Sequence, residues 1–312
     1  GKEFVSMKQH AKLLKVKFVD DLIGKKAEVA IANLKQGDVI LLDNVRKLKE
    51  EFSPGKNKLV KFFIGKVDIY VNDAFSVCHR KQTSVVSFPK YFKSAAGRVL
   101  EKEVKALKKV NLSSKDDSGE PNNCLYILGG AKPADNVKLL GKKNVIATGF
   151  FGQLCLISQG IEFGEHEKFL KKMLGKEFEV KNKLKGKLGN VLTPIDYAVK
   201  ANGKRKELSL GEFPSKYVIY DIGAKTMDLF EREIKKAKAI YVKGPSGDCS
   251  DKKFCAGTVA ILKAVSKAKG FSLIGGGYLN DAIDISGISR KRFGHVSLSG
   301  GALLRYLAGE KL

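Results

Sequence analysis

Histidine is scarce: there are four in 312 residues, none spaced as His-Glu-x-x-His, and no Gly-x-Ser-x-Gly turn occurs. These absences exclude the helical zinc-hydrolase pair and the serine nucleophile elbow. Cysteine is sparse as well. The five, at 78, 124, 155, 249 and 255, show no Cys-x-x-Cys spacing, and an odd number in a chain this long does not describe a disulfide frame. Reduced, mostly buried thiols are expected, with no zinc or other metal site. No apolar run approaches the ~18 to 20 residues that span a bilayer, and Gly1-Lys-Glu-Phe-Val lacks the apolar core of a signal peptide. The expectation is a cytoplasmic protein that makes no membrane contact.

Acidic residues are few beside basic ones, 33 against 58, for a net charge of +25. Such a charge attracts polyanions over a Debye length and allows nonspecific RNA or ribonucleoprotein contact through a lysine-rich surface. Arginine, whose planar fork suits specific phosphate recognition, is itself rare: eight arginines stand against 50 lysines. Lysine excess is equally read as a proteome bias displayed on solvated helix faces. The densest basic stretch, 168–187, interleaves Phe169, Leu170, Met173, Leu174 and Phe178 at the spacing of an amphipathic helix.

What the sequence does have is a repeated junction of apolar strand and glycine. Cys124-Leu-Tyr-Ile-Leu-Gly-Gly-Ala-Lys132 stops dead at two residues without Cβ and then delivers a lysine, an arrangement suited to holding phosphate. The same ending recurs at Val145–Gly149, Ile240–Gly247, Phe271–Gly277 and His295–Gly301. Strands are predicted near 17–20, 38–43 and 68–72, then near 124–128, 144–147, 191–194, 217–221, 239–242, 272–274 and 295–297. Helices are predicted at 7–14, 27–34, 97–108 and near 302–308, and the polar stretch 111–123 reads as a linker or loop. Apolar strands alternating with helices imply an α/β protein, with 124–297 forming one parallel, doubly wound sheet whose carboxyl edge binds ligand.

Seven blocks carry a resemblance: Leu41–Arg46, Val71–Phe75 with Cys78-His-Arg80, Gly129–Lys132, Tyr220–Gly223, Gly244–Gly247, Gly275–Gly277 and Ser299–Ala302. In order and approximate spacing they are similar to the phosphoglycerate kinase family, most closely its archaeal branch. The resemblance implies two Rossmann-like domains, a partial N-terminal one (1–115) for 3-phosphoglycerate and a nucleotide-binding one (116–298), with a C-terminal helix (299–312) packing back on the boundary. It implies Mg2+ with ATP or ADP as cofactor. Arg46 and Arg80 match residues that grip the acid and are expected to converge, with Asn72, Asp73 and His79 beside them. Lys132 matches a lysine at the nucleotide phosphates. Gly129, Gly130, Gly149, Gly244, Pro245, Gly247, Gly275, Gly276, Gly277, Gly300 and Gly301 form the nucleotide edge. Little is needed of the protein in such chemistry beyond alignment, charge neutralisation and exclusion of water.

Departures from the pattern are equally specific. Gly1 falls well inside the family's first domain, so an early Arg-Val-Asp-x-Asn motif and a His/Arg pair are not among these residues, and the N-terminal domain reads as incomplete. Asn136 stands where the bacterial and eukaryotic pattern has a second lysine, and Tyr278 where it has a metal-holding aspartate. Asp248-Cys-Ser250 replaces an apolar pair and a ribose-binding glutamate. Phe150 and Phe151 fill a place usual for a small residue and are expected to narrow an adenosine pocket. Asp221 reads as a metal ligand or as part of a helix N-cap region ahead of Thr226. Three functions stay open: a working phosphoglycerate kinase, a degenerate relative serving as a basic scaffold or RNA-binding protein, and a metabolite-binding regulator.

Overall fold

The computed structural model of the protein describes residues 4–113, 124–141, 144–310 and 312. The chain divides into two compact units, Gly1–Glu101 with Leu312, and Lys102–Lys311.

The first unit is built from short pieces. Helix α1 (Lys8–Leu14) leads into strand β1 (Lys17–Val19), and helix α2 (Lys25–Ala32) into β2 (Ile40–Leu42). Helix α3 (Lys58–Phe63) precedes β3 (Tyr70–Asn72), and α4 (Phe88–Tyr91) precedes β4 (Ser94–Ala96). β1 pairs with β2 and β3 with β4, both parallel, as two separate two-stranded sheets. Three-residue strands contribute few ladder bonds, so much of the order comes from side chains that hold the turns. The Asp21 carboxylate, for example, accepts from the amides of Leu22, Gly24 and Ala27 at 2.7–3.0 Å and so fixes the start of α2. Helix α5 (Arg98–Ser113) follows. The first three residues of the expected linker at 111–123 belong to it, and the rest lie outside the described residues.

The second unit carries the main sheet. Its strands are β5 (Cys124–Leu128), β6 (Val145–Ala147), β7 (Val191–Leu192), β8 (Asp196–Ala201), β9 (Lys204–Ser209), β10 (Ile219–Ile222), β11 (Ala239–Lys243), β12 (Phe271–Gly275) and β13 (His295–Ser297). Its helices are α6 (Pro133–Val137), α7 (Gly149–Ser158), α8 (Glu165–Leu174), α9 (Ala224–Lys236), α10 (Ala256–Lys267), α11 (Gly277–Ser286) and α12 (Gly301–Leu307). Six strands form one sheet in the order β13-β12-β11-β5-β6-β7, every pair parallel. β5 and β11 are buried along their whole length, which is why they read as continuous apolar runs. On one face Ile127, Ile146, Ile240, Val242 and Ile274 join Phe163, Phe230 and Leu262 in the core. From β5 the chain winds one way through β6 and β7, and then the other way through β11, β12 and β13. The β5/β11 crevice is therefore the topological switch point, the place where open α/β sheets bind ligands.

Two expectations are corrected. The strand expected near 217–221 is not in the parallel sheet; as β10 it pairs antiparallel with β8, which pairs antiparallel with β9. The β8–β9 hairpin turns on Asn202-Gly203, both at positive φ (49° and 73°), the conformation that an Asn-Gly turn selects. The cysteines are not all reduced: Cys249 and Cys255 are disulfide-bonded, with Cα atoms 4.3 Å apart. A short helical turn, Lys252–Phe254, capped by Asp251 onto the Lys253 amide, folds the loop between the two cysteines back on itself. Among the described residues no helix is long and apolar enough to cross a membrane. The stretch 168–187 is helix α8 continued by a 3-10 segment, with Leu170, Leu174 and Phe178 buried and Lys168, Lys171, Lys172 and Lys176 exposed. Helix α12 packs against α6 within the second unit.

Candidate active site

In the second unit the carboxyl tips of the parallel strands meet at the switch point, and the turns after β5 and β11 are interlocked. The Gly129 amide donates to the Lys243 carbonyl and the Gly130 amide to the Pro245 carbonyl. A Cβ on Gly129 or Gly149 would lie 2.6 Å from the Pro245 oxygen, and one on Gly244 would lie 2.5 Å from the Gly129 oxygen. Gly247 and Gly275 are also closed in, against Asp221 with the Phe254 carbonyl and against Leu303. Gly276, Gly277 and Gly300 differ: a Cβ there would meet nothing within 4 Å. The strand-tip glycines thus divide into those that let protein backbones touch and those that leave open space at the edge. Gly276, at φ 107°, makes a turn few other residues adopt. Asn280 of α11 holds that turn by donating to the Gly276 and Ser297 carbonyls. Gly300 and Gly301 open α12.

A cavity of about 530 Å³ lies over this edge. The strand-tip residues Gly130, Gly149 and Pro245–Gly247 form its floor. Phe150, Phe169, Met173, Tyr220, Tyr278 and Ile285 supply a largely apolar wall, and Gln153, Asp248, Ser250 and Asp281 bring polar groups. Phe150 and Phe169 meet edge to face with ring centroids 6.4 Å apart. Only one of the two expected obstructing rings reaches the cavity, because Phe151 is fully buried. Behind the wall, the buried His166 stacks on Phe169. Its Nδ1 accepts from the Ile219 amide at 3.1 Å, which leaves Nε2 to donate to Gln153 Oε1 at 3.0 Å. Burial pushes this imidazole down to about 3, so it is neutral.

Lys132 is exposed at the N-cap position of α6. Close by, the buried Lys243 ends β11 and donates to Asn136 Oδ1 at 2.7 Å. The hydroxyls of Thr148 and Ser299, at the tips of β6 and β13, are buried without a hydrogen-bond partner among the described residues. The edge thus presents open glycines, the exposed Lys132 and two unpartnered buried hydroxyls. Among the described residues no group of three or more His, Cys, Asp or Glu could hold a metal ion. Asp221 is neither exposed nor the cap of α9. The N-cap is Gly223, and Asp196 of β8 accepts from the first-turn amides of Lys225 and Thr226. Asp221 instead binds the Arg205 guanidinium at 2.9 Å and the Gly257 amide at 2.8 Å.

In the first unit Arg46 lies on the turn Val45–Lys47, with its guanidinium 6.0 Å from the Phe4 ring centre. The Arg80 side chain is exposed, and its guanidinium is held below the usual value first by desolvation and then by the charge of Arg46. Neither forms an ion pair among the described residues. His79 is half-buried beside Arg80. Asn72 and Asp73 do not pair with Arg80. The Asn72 Oδ1 accepts from the Ala74 amide, and Asp73 caps α5 through the Val99 and Leu100 amides at 2.7 and 2.9 Å. Sequence reasoning missed Phe169, Tyr220, Gln153, Arg205 and Lys243. Lys243 alone left a clear signal, as a lysine closing an otherwise apolar strand.

The family model for phosphoglycerate kinase matches residues 2–310. The chain is 37% identical over 333 residues to the phosphoglycerate kinase of Methanothermus fervidus, with 100% of the chain and 79% of the relative covered. It is 33% identical to that of Saccharolobus solfataricus, at the same coverages. Among solved structures, the crystal structure of phosphoglycerate kinase from Pyrococcus horikoshii OT3 superposes with a TM-score of 0.89 at 30% identity, covering 100% of this chain and 82% of that one.

Proposed function

The chain belongs to the phosphoglycerate kinase family, and from that premise we propose that it transfers a phosphoryl group between 1,3-bisphosphoglycerate with ADP and 3-phosphoglycerate with ATP. In this reading it is a phosphotransferase acting on a carboxyl group, working in the cytoplasm. The observation that carries the reading is the cavity at the β5/β11 switch point, floored by the turns after β5, β6 and β11. A largely apolar wall suits the base, and the strand-tip edge with Lys132 suits the phosphates. Magnesium enters with the nucleotide as part of the substrate, and its charge serves to neutralise phosphate oxygens. The second domain, from about 116 to 298, takes the nucleotide, and the first, 1–115, takes the acid. There Arg46 and Arg80 are two guanidinium groups in one region without a counter-ion among the described residues, which suits a ligand carrying phosphate and carboxylate. No observation favours the scaffold or RNA-binding alternative.

The test is a coupled assay of 3-phosphoglycerate turnover with Mg-ATP, set beside calorimetry with Mg-ADP. Turnover is expected, and Arg80→Ala, which removes a charge-assisted hydrogen bond to the acid, should lower kcat/KM by an amount worth roughly 2 to 4 kcal/mol. Lys132→Ala should weaken nucleotide binding. Absence of both turnover and nucleotide binding would overturn the reading.

A further inference from the structure

The best-placed group that this reading leaves without a task is the ammonium of Lys243. It ends β11, a strand buried at every residue, and the lysine itself is 8% exposed. Its reach is fixed from both sides. Asn136, fully buried on α6, donates its amide nitrogen to the Gly129 carbonyl at 3.1 Å and so turns its oxygen toward Lys243. That neutral oxygen accepts from the ammonium at 2.7 Å. The Asp135 carboxylate forms a longer ion pair with it at 3.6 Å and is 40% exposed, and this pairing does not outweigh the desolvation that lowers Lys243. Glu177, the other acid acting on the site, accepts from the Ala134 amide, while the charge of Lys132 opposes that of Lys243.

A buried ammonium has three donors to satisfy and a large desolvation cost to recover. Here one donor goes to an uncharged amide, the ion pair with Asp135 is long and shared with solvent, and a second cation stands nearby. Such an arrangement is stable where an anion completes it. Lys243 directly precedes Gly244-Pro245, the turn that floors the cavity, and Lys132 follows Gly129-Gly130 on the neighbouring strand. The two lysines therefore leave adjacent strand tips at the switch point, where backbones cross without side chains between them.

We propose that Lys243 is the second cation of the nucleotide phosphate site, acting with Lys132 and held in place by Asn136. The assignment rests on the nucleotide reading of the cavity and adds a residue to it. It predicts an effect that grows with the number of phosphates. A lysine that only braces the fold would affect every ligand equally.

The experiment titrates adenosine, Mg-ADP, Mg-ATP and inorganic triphosphate into the full chain, into Lys243→Met, and into the exchanged double variant Asn136→Lys/Lys243→Asn. Lys243→Met should leave adenosine within about twofold and weaken ADP, ATP and triphosphate by roughly 10- to 100-fold, the loss of one charge-assisted hydrogen bond. The double variant, which returns a lysine to the same contact from the opposite side, should regain most of that loss. If Lys243→Met does not fold, Lys243→Gln and the double variant carry the same comparison. Equal weakening of adenosine and ATP, or no weakening of either, would overturn the assignment. Triphosphate keeps the two readings apart. Lys243-dependent triphosphate binding without adenosine binding would keep this site and sink the nucleotide reading, whereas a wild-type chain that binds none of the probes would sink both.

Discussion

In the first unit, carboxylates pin the chain: Asp21, Asp43, Glu51 and Asp73 each accept two or more hydrogen bonds, mostly from backbone amides. In the second unit, an aliphatic and aromatic cluster on one face of a six-stranded sheet holds the structure, and most of its members are almost wholly buried. The difference follows from strand length and burial. The three-residue strands of the first unit bury little, with Val19 their one buried residue, and large apolar side chains of that unit such as Leu13, at 81%, and Val39, at 62%, are exposed. Five-residue strands covered on both faces bury a great deal. Apolar truncation should therefore act mainly on the second unit, and loss of a charge mainly on the first.

The largest effect expected from that contrast is at Phe163, which is fully buried against Tyr197 and Phe213 with ring centroids 5.5 and 5.0 Å away. Phe163→Ala should cost about 3–5 kcal/mol in urea unfolding, whereas Leu13→Ala should stay within about 0.5 kcal/mol. Comparable losses at the two positions would remove the distinction. A smaller effect should separate the two kinds of strand-tip glycine. Gly129→Ala drives a methyl toward the Pro245 carbonyl and should cost roughly 1 to 3 kcal/mol. Gly277→Ala enters open space at the start of a helix, so stability should hold to about 0.5 kcal/mol while Mg-ADP binding weakens. Calorimetric melting and titration of both variants distinguish the cases. A stable Gly129→Ala would mean that the turn after β5 is looser than its close approaches imply.

How far the sequence reveals these features depends on whether the signal is local. β5, β11 and β12 are legible because burial on both faces demands apolar residues throughout. β9 is not legible, since Lys-Arg-Lys-Glu-Leu-Ser has one buried residue, Leu208, and no apolar period. Its only local mark is the Asn202-Gly203 turn, and without that hairpin neither the antiparallel sheet nor the Arg205–Asp221 pair can be anticipated. The glycines of the candidate site stand out in the sequence, but which of them touch backbone and which face open space depends on partners more than 100 residues away, such as Gly129 and Gly244. The Cys249–Cys255 bond depends on a loop folding back on itself, which cysteine counting does not register. Asn136, legible only as a departure from a pattern, takes on meaning once Lys243 is beside it.

The smallest effect concerns acid, and it orders the two units by pH. Folded His166 takes a proton only near 3, against an ordinary 6.5, because burial excludes the charged ring. Between those values the unfolded chain holds one more proton than the folded one, so stability falls with falling pH by about 1.4 kcal/mol per unit. Burial alone would raise Asp43, yet the Lys47 ammonium and the Met7 and Asn44 amides outweigh it and bring the carboxyl down to about 2. Its contribution is complete above the ordinary 3.8 and is lost as pH falls through 2. Asp221 of the same unit, raised to about 6 by burial, holds a proton in the folded state below that value and offsets the His166 loss there, so acidification should weaken the second unit mainly between about pH 6.5 and 6, as read by hydrogen exchange along the chain. His166→Asn keeps an acceptor for the Ile219 amide and removes the titrating ring, so its stability should be lower at pH 7 but should fall less than that of the wild type, or rise, toward pH 5. A slope equal to that of the wild type would mean that another buried group, not His166, governs the acid response of the second unit.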